Sequence, residues 1–356
     1  MKILHSADWH LDSPIVGKTD QQAQFLRAEL LKIPDKIATV CKNEHCDLVL
    51  LAGDLFDGPC SAESLRRVLY ALEDMAVPVF ISPGNHDFCA PGSPYLTEAW
   101  PKNVHIFIQN TLQCIEVPHL NCKVWGAGYQ SMDCPELLKG FHAPEDGSVH
   151  IAVLHADPQQ ASSPYCPITT SQIKSSGLAY LALGHIHKGG KSSATNTLCA
   201  WPGCPMGRGF DETGDKGVLL VTIGERIEAG FYPLNVPKFF DLSIDAEENP
   251  IEALEKLLPP MQTQDMYRIT LTGYSTPVDT AALEASFSHV PNLTILDRTI
   301  PEVNLWDNLD ADTLEGTFFR LLHDKLEDAG ESYQQQIRMA ARIARQILDG
   351  QEVKLP

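Results

Sequence analysis

The first 235 residues repeat one arrangement, in which a short apolar run ends abruptly in polar side chains. Runs of a few residues that are rich in Val, Ile and Leu are typical of buried strands. Runs of this kind stand at 3–4, 48–51, 79–81, 151–154 and 180–183. We therefore predict a strand at each position, with polar residues directly after it.

Helical spacing appears between some of these runs. Apolar residues fall at i, i+3, i+4 and i+7 at Leu65, Val68, Leu69 and Leu72. Ser61 is a suitable N-cap for this helix. A second helix is predicted over about 34–45, with Pro34 in its first turn. Strands that alternate with helices and end in functional residues predict an α/β layered domain.

The pattern changes after about residue 237, where Pro233 and Pro237 mark a junction. Short strands and helices then alternate, which predicts a smaller second α/β domain. The strands are predicted at 239–244, 266–271 and 293–296, and the helices near 250–258 and 279–287.

The last part of the chain, about 311–350, has a helical pattern. An apolar face is predicted for its first helix, formed by Leu314, Phe318, Leu321 and Leu322. The following helix carries Arg338, Arg342 and Arg345 on one side. These arginines could face an acidic partner, DNA or solvent.

The polar clusters contain residue types that bind transition metals. The clusters are Asp8-x-His10, Gly53-Asp54, Gly84-Asn85-His86-Asp87, His155 and Gly184-His185-x-His187. Carboxylate and nitrogen ligands in this mixture suit Mn, Fe or Zn, with one carboxylate bridging two ions. Two ions about 3.5–4 Å apart can activate a water and stabilise both reacting oxygens of a phosphate ester. The clusters therefore predict a dinuclear metal site, against the alternative of scattered polar strand caps.

Composition and charge narrow the functional classes. The chain has 356 residues, with 27 Lys and Arg against 46 Asp and Glu, for a net charge of −19. This acidity excludes a protein that coats nucleic acid by bulk charge, but it allows an enzyme that binds phosphate through metals. No apolar run is long enough for a membrane helix, and the start lacks the apolar region of a secretory signal. The ten cysteines include no CxxC pair, so reduced thiols and a cytoplasmic location are expected.

Taken together, the metal-binding clusters resemble those of the calcineurin-like metallophosphoesterases. Within that superfamily the chain looks like the SbcD-type DNA repair exonucleases. The similarity to this branch lies in the opening at 5–12, the segment 183–188 followed by 201–203 and 207–217, and the long C-terminal extension. The resemblance covers about 1–235 well and the remainder only in layout.

The resemblance implies a fold and a domain organisation. The fold is a two-sheet α/β sandwich with a smaller C-terminal α/β capping domain and terminal helices. We expect a metallophosphoesterase (nuclease) domain at 1–235, a capping domain at 238–300 and a helical tail at 301–356 that has a partner-binding role. The related nucleases dimerise, although no dimer face can be read from this sequence.

The resemblance also implies roles for individual residues. One metal, most simply Mn²⁺, would be held by Asp8, His10 and His187. The other would be held by Asn85, His155 and His185. Asp54 would bridge the two ions. His86 would stabilise the transition state and protonate the leaving 3′ oxygen. Asp87 would either orient His86 or cap the following turn.

Two further residues are weaker candidates for substrate contact. Arg208, in a glycine-rich stretch, could touch a DNA phosphate or lie exposed in a hairpin. Trp9 could shape the substrate edge of the site or pack in the interior. Asp12 and Asp57 lie near the metal loops, where turn-forming or supporting roles are favoured. The segment 238–356 has 10 Lys and Arg against 21 Asp and Glu, so DNA contact there would depend on local patches or a partner.

The interpretation that the sequence favours is a Mn-dependent DNA exonuclease and endonuclease that works with an SMC-like ATPase of the SbcC type. The first alternative is a phosphatase or cyclic-nucleotide phosphodiesterase of the same fold. The protein-phosphatase branch usually has an arginine after its second Gly-Asp motif, whereas Asp57 is followed by Gly58 here. The other alternative is a DNA-end-binding scaffold without activity, which the complete set of ligands disfavours.

Overall fold

A computed structural model describes the chain in two compact units, Met1–Phe240 and Asp241–Pro356. The described residues are 1–15, 19–194, 196–246, 249–276, 278–301, 304–327, 329–350 and 353.

The first unit is built from two sheets with helices between their strands. Its strands are β1 (Lys2–Ser6), β2 (Leu48–Leu51), β3 (Val79–Ile81), β4 (Val104–Ile106), β5 (Gln113–Val117), β6 (Cys122–Gly126), β7 (Val149–His155), β8 (Tyr180–Gly184), β9 (Lys188–Ala194), β10 (Thr197–Gly203), β11 (Gly217–Ile223) and β12 (Ile227–Pro233). Its helices are α1 (Asp20–Leu30), α2 (Ile33–Asn43), α3 (Ala62–Met75), α4 (Pro94–Thr97) and α5 (Thr170–Ser175).

Each sheet has six strands, most of them parallel. The first sheet has the order β12-β11-β1-β2-β3-β4 and the second the order β5-β6-β7-β8-β10-β9. The first strand, β1, lies between β2, with which it is parallel, and β11, with which it is antiparallel and pairs Lys2 with Thr222. The two-sheet α/β sandwich expected from the sequence is therefore confirmed.

The core between the sheets explains why the apolar runs form buried strands. Leu50 and Phe80 of the first sheet pack in one cluster with Ile151 and Ala182 of the second. Full burial of a large aliphatic or aromatic side chain contributes roughly 1.5–3 kcal/mol to stability. Since both faces of the central strands are covered, these strands are apolar without alternation. This leaves their polar continuations at one edge of the sandwich.

The helices expected in this unit are present. In α3, the Ser61 side chain accepts a hydrogen bond from the Ser64 N–H, as an N-cap does. Asp12 accepts hydrogen bonds from the Ser61 N–H and the Ser64 hydroxyl, which ties the start of α3 to the segment after β1. Helix α2 ends at Asn43, two residues before the predicted end, and His45 there has a left-handed φ of 50°.

The second unit contains a smaller α/β arrangement and two longer helices. The strands β13, β14 and β16 form one sheet, and β15 pairs with β17. Its strands are β13 (Phe239–Asp245), β14 (Met266–Thr272), β15 (Tyr274–Ser275), β16 (Leu293–Asp297) and β17 (Ile300–Pro301). Its helices are α6 (Pro250–Leu257), α7 (Thr280–Ser286), α8 (Leu314–Glu327) and α9 (Glu331–Leu348). Division of this unit into a cap at 238–300 and a tail at 301–356 stays a prediction.

The apolar face predicted for α8 is mostly exposed rather than buried against α9. Leu314 is 90% exposed, Leu321 is 58% exposed and Phe318 is 42% exposed. Phe319 is the buried residue instead, and it packs in one cluster with Ala341 of α9. The helix is therefore rotated so that Phe319 faces α9. This leaves a row of apolar side chains, Leu314, Phe318 and Leu321, outside the cluster.

The arginines of α9 have different environments. Arg338 is exposed, whereas Arg345 is buried, forms an ion pair with Glu315 of α8 and lies over the Phe319 ring at 4.1 Å from its centroid. Arg342 lies over the ring of Tyr274 at 3.7 Å. A cation over an aromatic ring adds about 0.5–2 kcal/mol, more when it is shielded from water. Arg345 therefore faces α8, which is none of the three environments considered from the sequence.

We expect Arg345→Ala to loosen the α8–α9 pair by about 2 kcal/mol, because it removes both the ion pair with Glu315 and the contact with Phe319. Hydrogen exchange of the α8 and α9 amides measures this effect locally. The matched control is Arg338→Ala, whose exposed side chain should contribute less than about 0.5 kcal/mol. Equal protection factors in the two variants would show that Arg345 has no special role.

Candidate metal centre

The polar clusters from both sheets lie together at one edge of the sandwich. Asp8 and His10 follow β1, Asp54 follows β2, and Asn85 follows β3. His155 ends β7 of the second sheet, and His185 and His187 follow β8. Since neighbouring parallel strands end at the same edge, residues distant in sequence become neighbours in space.

Ligand atoms of these residues approach one another closely. One group consists of Asp8, His10 and His187, and another of Asp8, Asp54 and His155, with the ligand atoms in each group within 4.8 Å of one another. The Nε2 atoms of His10 and His187 are 3.1 Å apart. His10 and Asp54 also form a group with His86. His185 lies against His155, with 5.2 Å between the ring centroids.

The contacts of His155 direct one of its ring nitrogens at two oxygen acceptors. Its Nδ1 donates to the Ala52 carbonyl at 2.9 Å, since a carbonyl oxygen can only accept. The other nitrogen, Nε2, lies 2.9 Å from Asn85 Oδ1 and 3.3 Å from Asp54 Oδ2, where positive charge is favoured, either as a proton on Nε2 or as a bound cation. A cation between these atoms would satisfy all of them. The residues therefore fit divalent metals by the chemistry of their donor atoms.

The environment of His10 is a second indication of a metal site. Its side chain is about 1% exposed, and its Nδ1 has no hydrogen-bond partner among the described residues. A buried nitrogen without a partner is costly, and its other nitrogen already faces the Nε2 of His187. The two rings thus direct their Nε2 atoms into one small space. The family and this cluster of Asp and His side chains together suggest a dimetal site.

The backbone at the site is strained. Asp8, His10, Asp54 and His185 have left-handed φ values of 55°, 48°, 52° and 87°. Each such residue other than glycine or asparagine typically costs about 1–3 kcal/mol and persists only where the surroundings fix it. Here the His10 N–H donates to the Asp54 carbonyl at 2.9 Å, and the Asp8 N–H donates to the Gly53 carbonyl at 3.0 Å. The strain is concentrated at residues that carry candidate ligands.

Two glycines allow the ligand loops to approach. A Cβ on Gly84 would lie 2.2 Å from Asp54 Oδ1, and a Cβ on Gly53 would lie 2.5 Å from His155 Nδ1. Gly53 also has a positive φ of 86°, which side chains rarely adopt. The glycines before the ligands are therefore needed because the neighbouring ligand occupies the space of a side chain.

The charges of the site shift its pKa values. Burial lowers the pKa of His155, but the carboxylates of Asp54 and Asp8 outweigh it and raise that pKa to about 9. Burial raises the pKa of Asp54, and the His155 and His10 imidazoles outweigh this effect and hold the pKa below its usual range. Burial and the neighbouring His155 lower the pKa of His185 to about 4. Carboxylates thus attract positive charge to the centre, which is the environment that divalent cations require.

His86 is oriented by Asp57. Its Nδ1 donates to Asp57 Oδ1 at 2.7 Å, and its side chain is 42% exposed, so Nε2 is not engaged by this hydrogen bond. Asp57 itself has a lowered pKa, chiefly because of the His10 imidazole 3.9 Å away and secondarily through His86. Asp57 therefore has a defined supporting role: it orients His86, which the resemblance identifies as the proton donor.

Asp87 does not orient His86 in the structure, which corrects the first of its two expected roles. Its carboxylate accepts hydrogen bonds from the Leu55 N–H at 2.7 Å, the Gly84 N–H at 2.8 Å and the Tyr95 hydroxyl at 2.6 Å. It is 6% exposed. Asp87 therefore fixes the loop after β3 to the loop after β2, which is closer to the alternative role in turn formation.

Glu212 belongs to the site although the sequence did not single it out. It accepts a hydrogen bond from His187 Nδ1 at 2.7 Å and one from Arg208 Nη2 at 2.7 Å. Burial raises the pKa of Glu212, but these two hydrogen bonds hold it below its usual range. A carboxylate on the far nitrogen of a histidine fixes the ring so that Nε2 is available to a metal. The sequence offered one signal for Glu212, which is its i, i+4 spacing from Arg208, a spacing that favours an ion pair.

The two weaker candidates are both engaged inside the protein. Arg208 contacts Glu212 and lies 4.0 Å from Asp57, with its side chain 17% exposed. It is therefore not the exposed hairpin arginine of one expectation, and contact with DNA stays a prediction. Trp9 is 1% exposed and donates its Nε1 hydrogen to the Ser6 hydroxyl at 2.9 Å. Packing, rather than an open edge of the site, is what the structure shows for Trp9.

Comparison with known proteins identifies the family. The model of the calcineurin-like phosphoesterase family matches residues 1–189, and the chain belongs to this family. The family is that of metal-dependent hydrolases of phosphate esters. Among the described residues, no helix combines the length and the apolar character that a membrane crossing requires.

Two curated relatives come from Bacillus subtilis. An uncharacterized metallophosphoesterase, YhaO, is 32% identical over 63% of this chain and 57% of its own length. The SbcD component of the nuclease SbcCD is 27% identical over 62% of this chain and 66% of its own length. The chain thus spans less than two thirds of either relative. A solved dimetal phosphatase from Danio rerio is similar over 65% of this chain and 99% of its own, at 13% identity and a TM-score of 0.44.

We expect Gly84→Ala to lower the affinity for Mn²⁺ at least tenfold, because the new Cβ would lie 2.2 Å from Asp54 Oδ1 and displace that carboxylate. Titration calorimetry with Mn²⁺ measures the change, and circular dichroism confirms that the fold is retained. The control is Gly224→Ala, where an added Cβ meets no atom within 4 Å. Normal Mn²⁺ binding by the Gly84 variant would contradict the proposed geometry.

We expect Glu212→Gln to weaken Mn²⁺ binding about 10–100-fold, because the neutral amide holds His187 and Arg208 less firmly. The same calorimetric titration tests this expectation. Asp211→Asn is the matched control, since Asp211 is the exposed acidic neighbour in the chain. If the two variants bound Mn²⁺ equally well, Glu212 would have no role in orienting His187.

Proposed function

We propose that the chain is a metal-dependent DNA exonuclease and endonuclease, acting in DNA repair as the nuclease subunit of an SbcCD-like complex. The observation on which the proposal depends is the convergence of buried ligand atoms at the centre together with a half-exposed His86 that Asp57 holds at its margin. The first feature suits binding of two cations. The second suits proton transfer to a leaving oxygen.

The ligand set is proposed residue by residue. Asp8, His10 and His187 would hold one ion, Asn85, His155 and His185 the other, and Asp54 both. Bound metals supply activation of a water and neutralisation of the phosphate charge. The protein holds the imidazoles by hydrogen bonds to their other nitrogens, as for His155 with Ala52 and His187 with Glu212.

His86 performs the proton transfer in this proposal. Water attacks phosphorus, the bond from phosphorus to the 3′ oxygen breaks, and its electron pair moves to that oxygen. The oxygen takes the proton of His86 Nε2, while Asp57 keeps the ring in place through Nδ1. The products are a 3′ hydroxyl and a 5′ phosphate, and the proton lost by water passes to solvent.

A diester of DNA is favoured over a phosphate monoester for two reasons. The guanidinium of Arg208 is bound to Glu212, so it is not free to hold the additional charge of a terminal phosphate. The relative that is named as a nuclease component is similar over 267 residues, a longer stretch than the family model covers. Both facts support the substrate proposal.

Manganese is the proposed metal. A ligand set of imidazole nitrogens, one amide oxygen and two carboxylates accepts Mn²⁺, Fe²⁺ or Zn²⁺, so geometry and availability decide among them. All ten cysteines are free thiols in the structure. Free thiols are typical of a reducing compartment, and we propose the cytoplasm as the location.

The test of this function is hydrolysis by the full chain with Mn²⁺ of linear double-stranded DNA, single-stranded DNA, the diester bis(p-nitrophenyl) phosphate and the monoester p-nitrophenyl phosphate. Release of mononucleotides, lost with a chelator and restored by Mn²⁺, supports the proposal. Cleavage of p-nitrophenyl phosphate in preference to every diester would identify a phosphatase instead. Binding of DNA ends without any hydrolysis would identify a scaffold.

We expect His86→Ala to lower kcat about 10²–10⁴-fold and Asp57→Asn about 10–100-fold, with Mn²⁺ binding retained in both variants. The physical reason is that the first loses the proton donor and the second loses its orientation. Steady-state rates on bis(p-nitrophenyl) phosphate measure the effects. Full activity of the His86 variant would exclude the proposed proton transfer.

The proposed partner is an SMC-like ATPase of the SbcC type, and the proposed contact is the apolar row on α8. The row consists of Leu314, Phe318 and Leu321, whose spacing of i, i+4 and i+7 places them on one side of the helix. Each is at least 42% exposed, and the nearby Tyr333 of α9 is 54% exposed. Apolar side chains at this spacing suit an apolar helix of a coiled coil.

We expect Leu314→Asp combined with Leu321→Asp to weaken binding of the purified SMC-like ATPase at least tenfold, because two apolar contacts are replaced by charges. Calorimetry with the full chain and the ATPase measures the dissociation constant. Ile251→Asp serves as control, since Ile251 is 45% exposed on a different helix, α6. If the double variant bound the ATPase as tightly as the wild type does, the apolar row of α8 would not be part of the interface.

A further inference from the structure

A cavity adjoins the metal centre at His86. It has a volume of about 300 Å³ and lies between the loop after β2 and the loop after β3. Its walls include Phe56, Pro59, His86, Phe88, Ala90 and Pro91. We call it the proline-rimmed pocket. Within the described part of the chain, no proposed metal ligand lines it, so the pocket meets the centre through His86.

The lining of the pocket is apolar among the described residues, apart from Ser93, His86, which Asp57 pairs through Nδ1, and Asp87. Phe56 is fully buried at its base, and Phe88, Ala90 and the prolines contribute carbon surface. Asp87 also lines it, but its carboxylate is engaged by backbone N–H groups and the Tyr95 hydroxyl. No lysine or arginine lines the cavity in the part of the chain that the structure describes. A phosphate is therefore a poor occupant, and a neutral flat ring is a good one.

The size of the pocket sets a further limit. Small-molecule pockets have volumes of about 300–1,000 Å³, and this cavity lies at the lower end of that range. It has room for one aromatic ring system with part of a sugar. The width of a base pair or a folded peptide would not fit. The occupant is thus a single group of the substrate.

The walls are fixed by hydrogen bonds, so the pocket exists before substrate binds. The Cys89 N–H donates to the Tyr129 carbonyl at 2.8 Å, and the Ser93 N–H donates to the Ala90 carbonyl at 2.9 Å. The Gly58 N–H donates to the His86 carbonyl at 3.2 Å and joins the two loops. A preformed wall avoids the entropy cost of ordering a loop on binding.

We propose that the proline-rimmed pocket binds the nucleobase on the leaving-group side of the scissile phosphate. This inference rests on the proposed nuclease function, in which His86 protonates the leaving 3′ oxygen. The nucleoside that carries that oxygen would lie nearest to His86, and the same side chain lines the pocket. Its base can stack against Phe88, and stacking of this kind tolerates any of the four bases.

The consequence for the substrate is that one base must leave its stack and its pair. A base inside an intact duplex cannot enter a pocket of this size. Frayed ends and single strands supply such a base at little cost, since unpairing requires energy only in the duplex. The pocket therefore selects single-stranded or unpaired nucleotides at the cleavage point.

Four dinucleotide substrates test the proposal with the full chain and Mn²⁺. They carry thymine on both sides of the phosphate, on the 5′ side only, on the 3′ side only, or on neither side, with an abasic sugar elsewhere. We expect loss of the 5′ base, which belongs to the leaving nucleoside, to lower kcat/KM about tenfold. Loss of the 3′ base should have a much smaller effect.

Two variants then locate this preference in the pocket. Phe88→Ala removes the stacking surface and Ala90→Leu fills the space, and each should reduce the ratio of the rates with and without the 5′ base to nearly one. Their matched controls are Phe231→Ala and Ala281→Leu, since Phe231 and Ala281 are exposed elsewhere, on β12 and α7. Both controls should keep the preference of the wild type.

The outcomes distinguish failure of the pocket proposal from failure of the proposed nuclease function. Hydrolysis of all four dinucleotides at equal rates would overturn the pocket and leave the nuclease function standing. A preference for the 5′ base that survives in both pocket variants would also overturn it. Hydrolysis of bis(p-nitrophenyl) phosphate without hydrolysis of any dinucleotide would overturn the nuclease function and the pocket together.

Discussion

The site depends on a single constraint, which is that ligand atoms from two separate sheets must be held within about 3 Å of one another. The 3.1 Å between the Nε2 atoms of His10 and His187 is an example. Such an arrangement is unfavourable alone, and so are the left-handed backbones at Asp8 and Asp54. The apolar core between the sheets supplies the stability that holds these groups in place. The fold thus preorganises the candidate ligand atoms for metal binding.

Much of the fold could be predicted because its signals are local. The run at 48–51 is apolar since β2 is covered on both faces, and Ser61 caps α3 through its own side chain. The candidate ligands were found in the same way, because each cluster directly follows a strand. Their convergence follows from the parallel direction of the strands, which alternation with helices already indicated.

The parts that could not be predicted depend on contacts between distant segments. Nothing near Asp57 in the sequence shows that its carboxylate, and not that of Asp87, receives the hydrogen bond of His86. Glu212 meets His187 from 25 residues away. Helix α8 has apolar residues on several sides, so periodicity alone could not decide that Phe319, rather than Phe318, is buried against α9. Tertiary packing made these choices.

The position of β1 has a consequence for folding during synthesis. This strand pairs with β11, and Met1 just before it donates to the Ile223 carbonyl at 3.0 Å. The ribosome therefore makes β1 more than 200 residues before it makes this antiparallel neighbour. Until then one edge of β1 is open to pairing with another chain. The nascent protein is exposed to such pairing until β11 has been made.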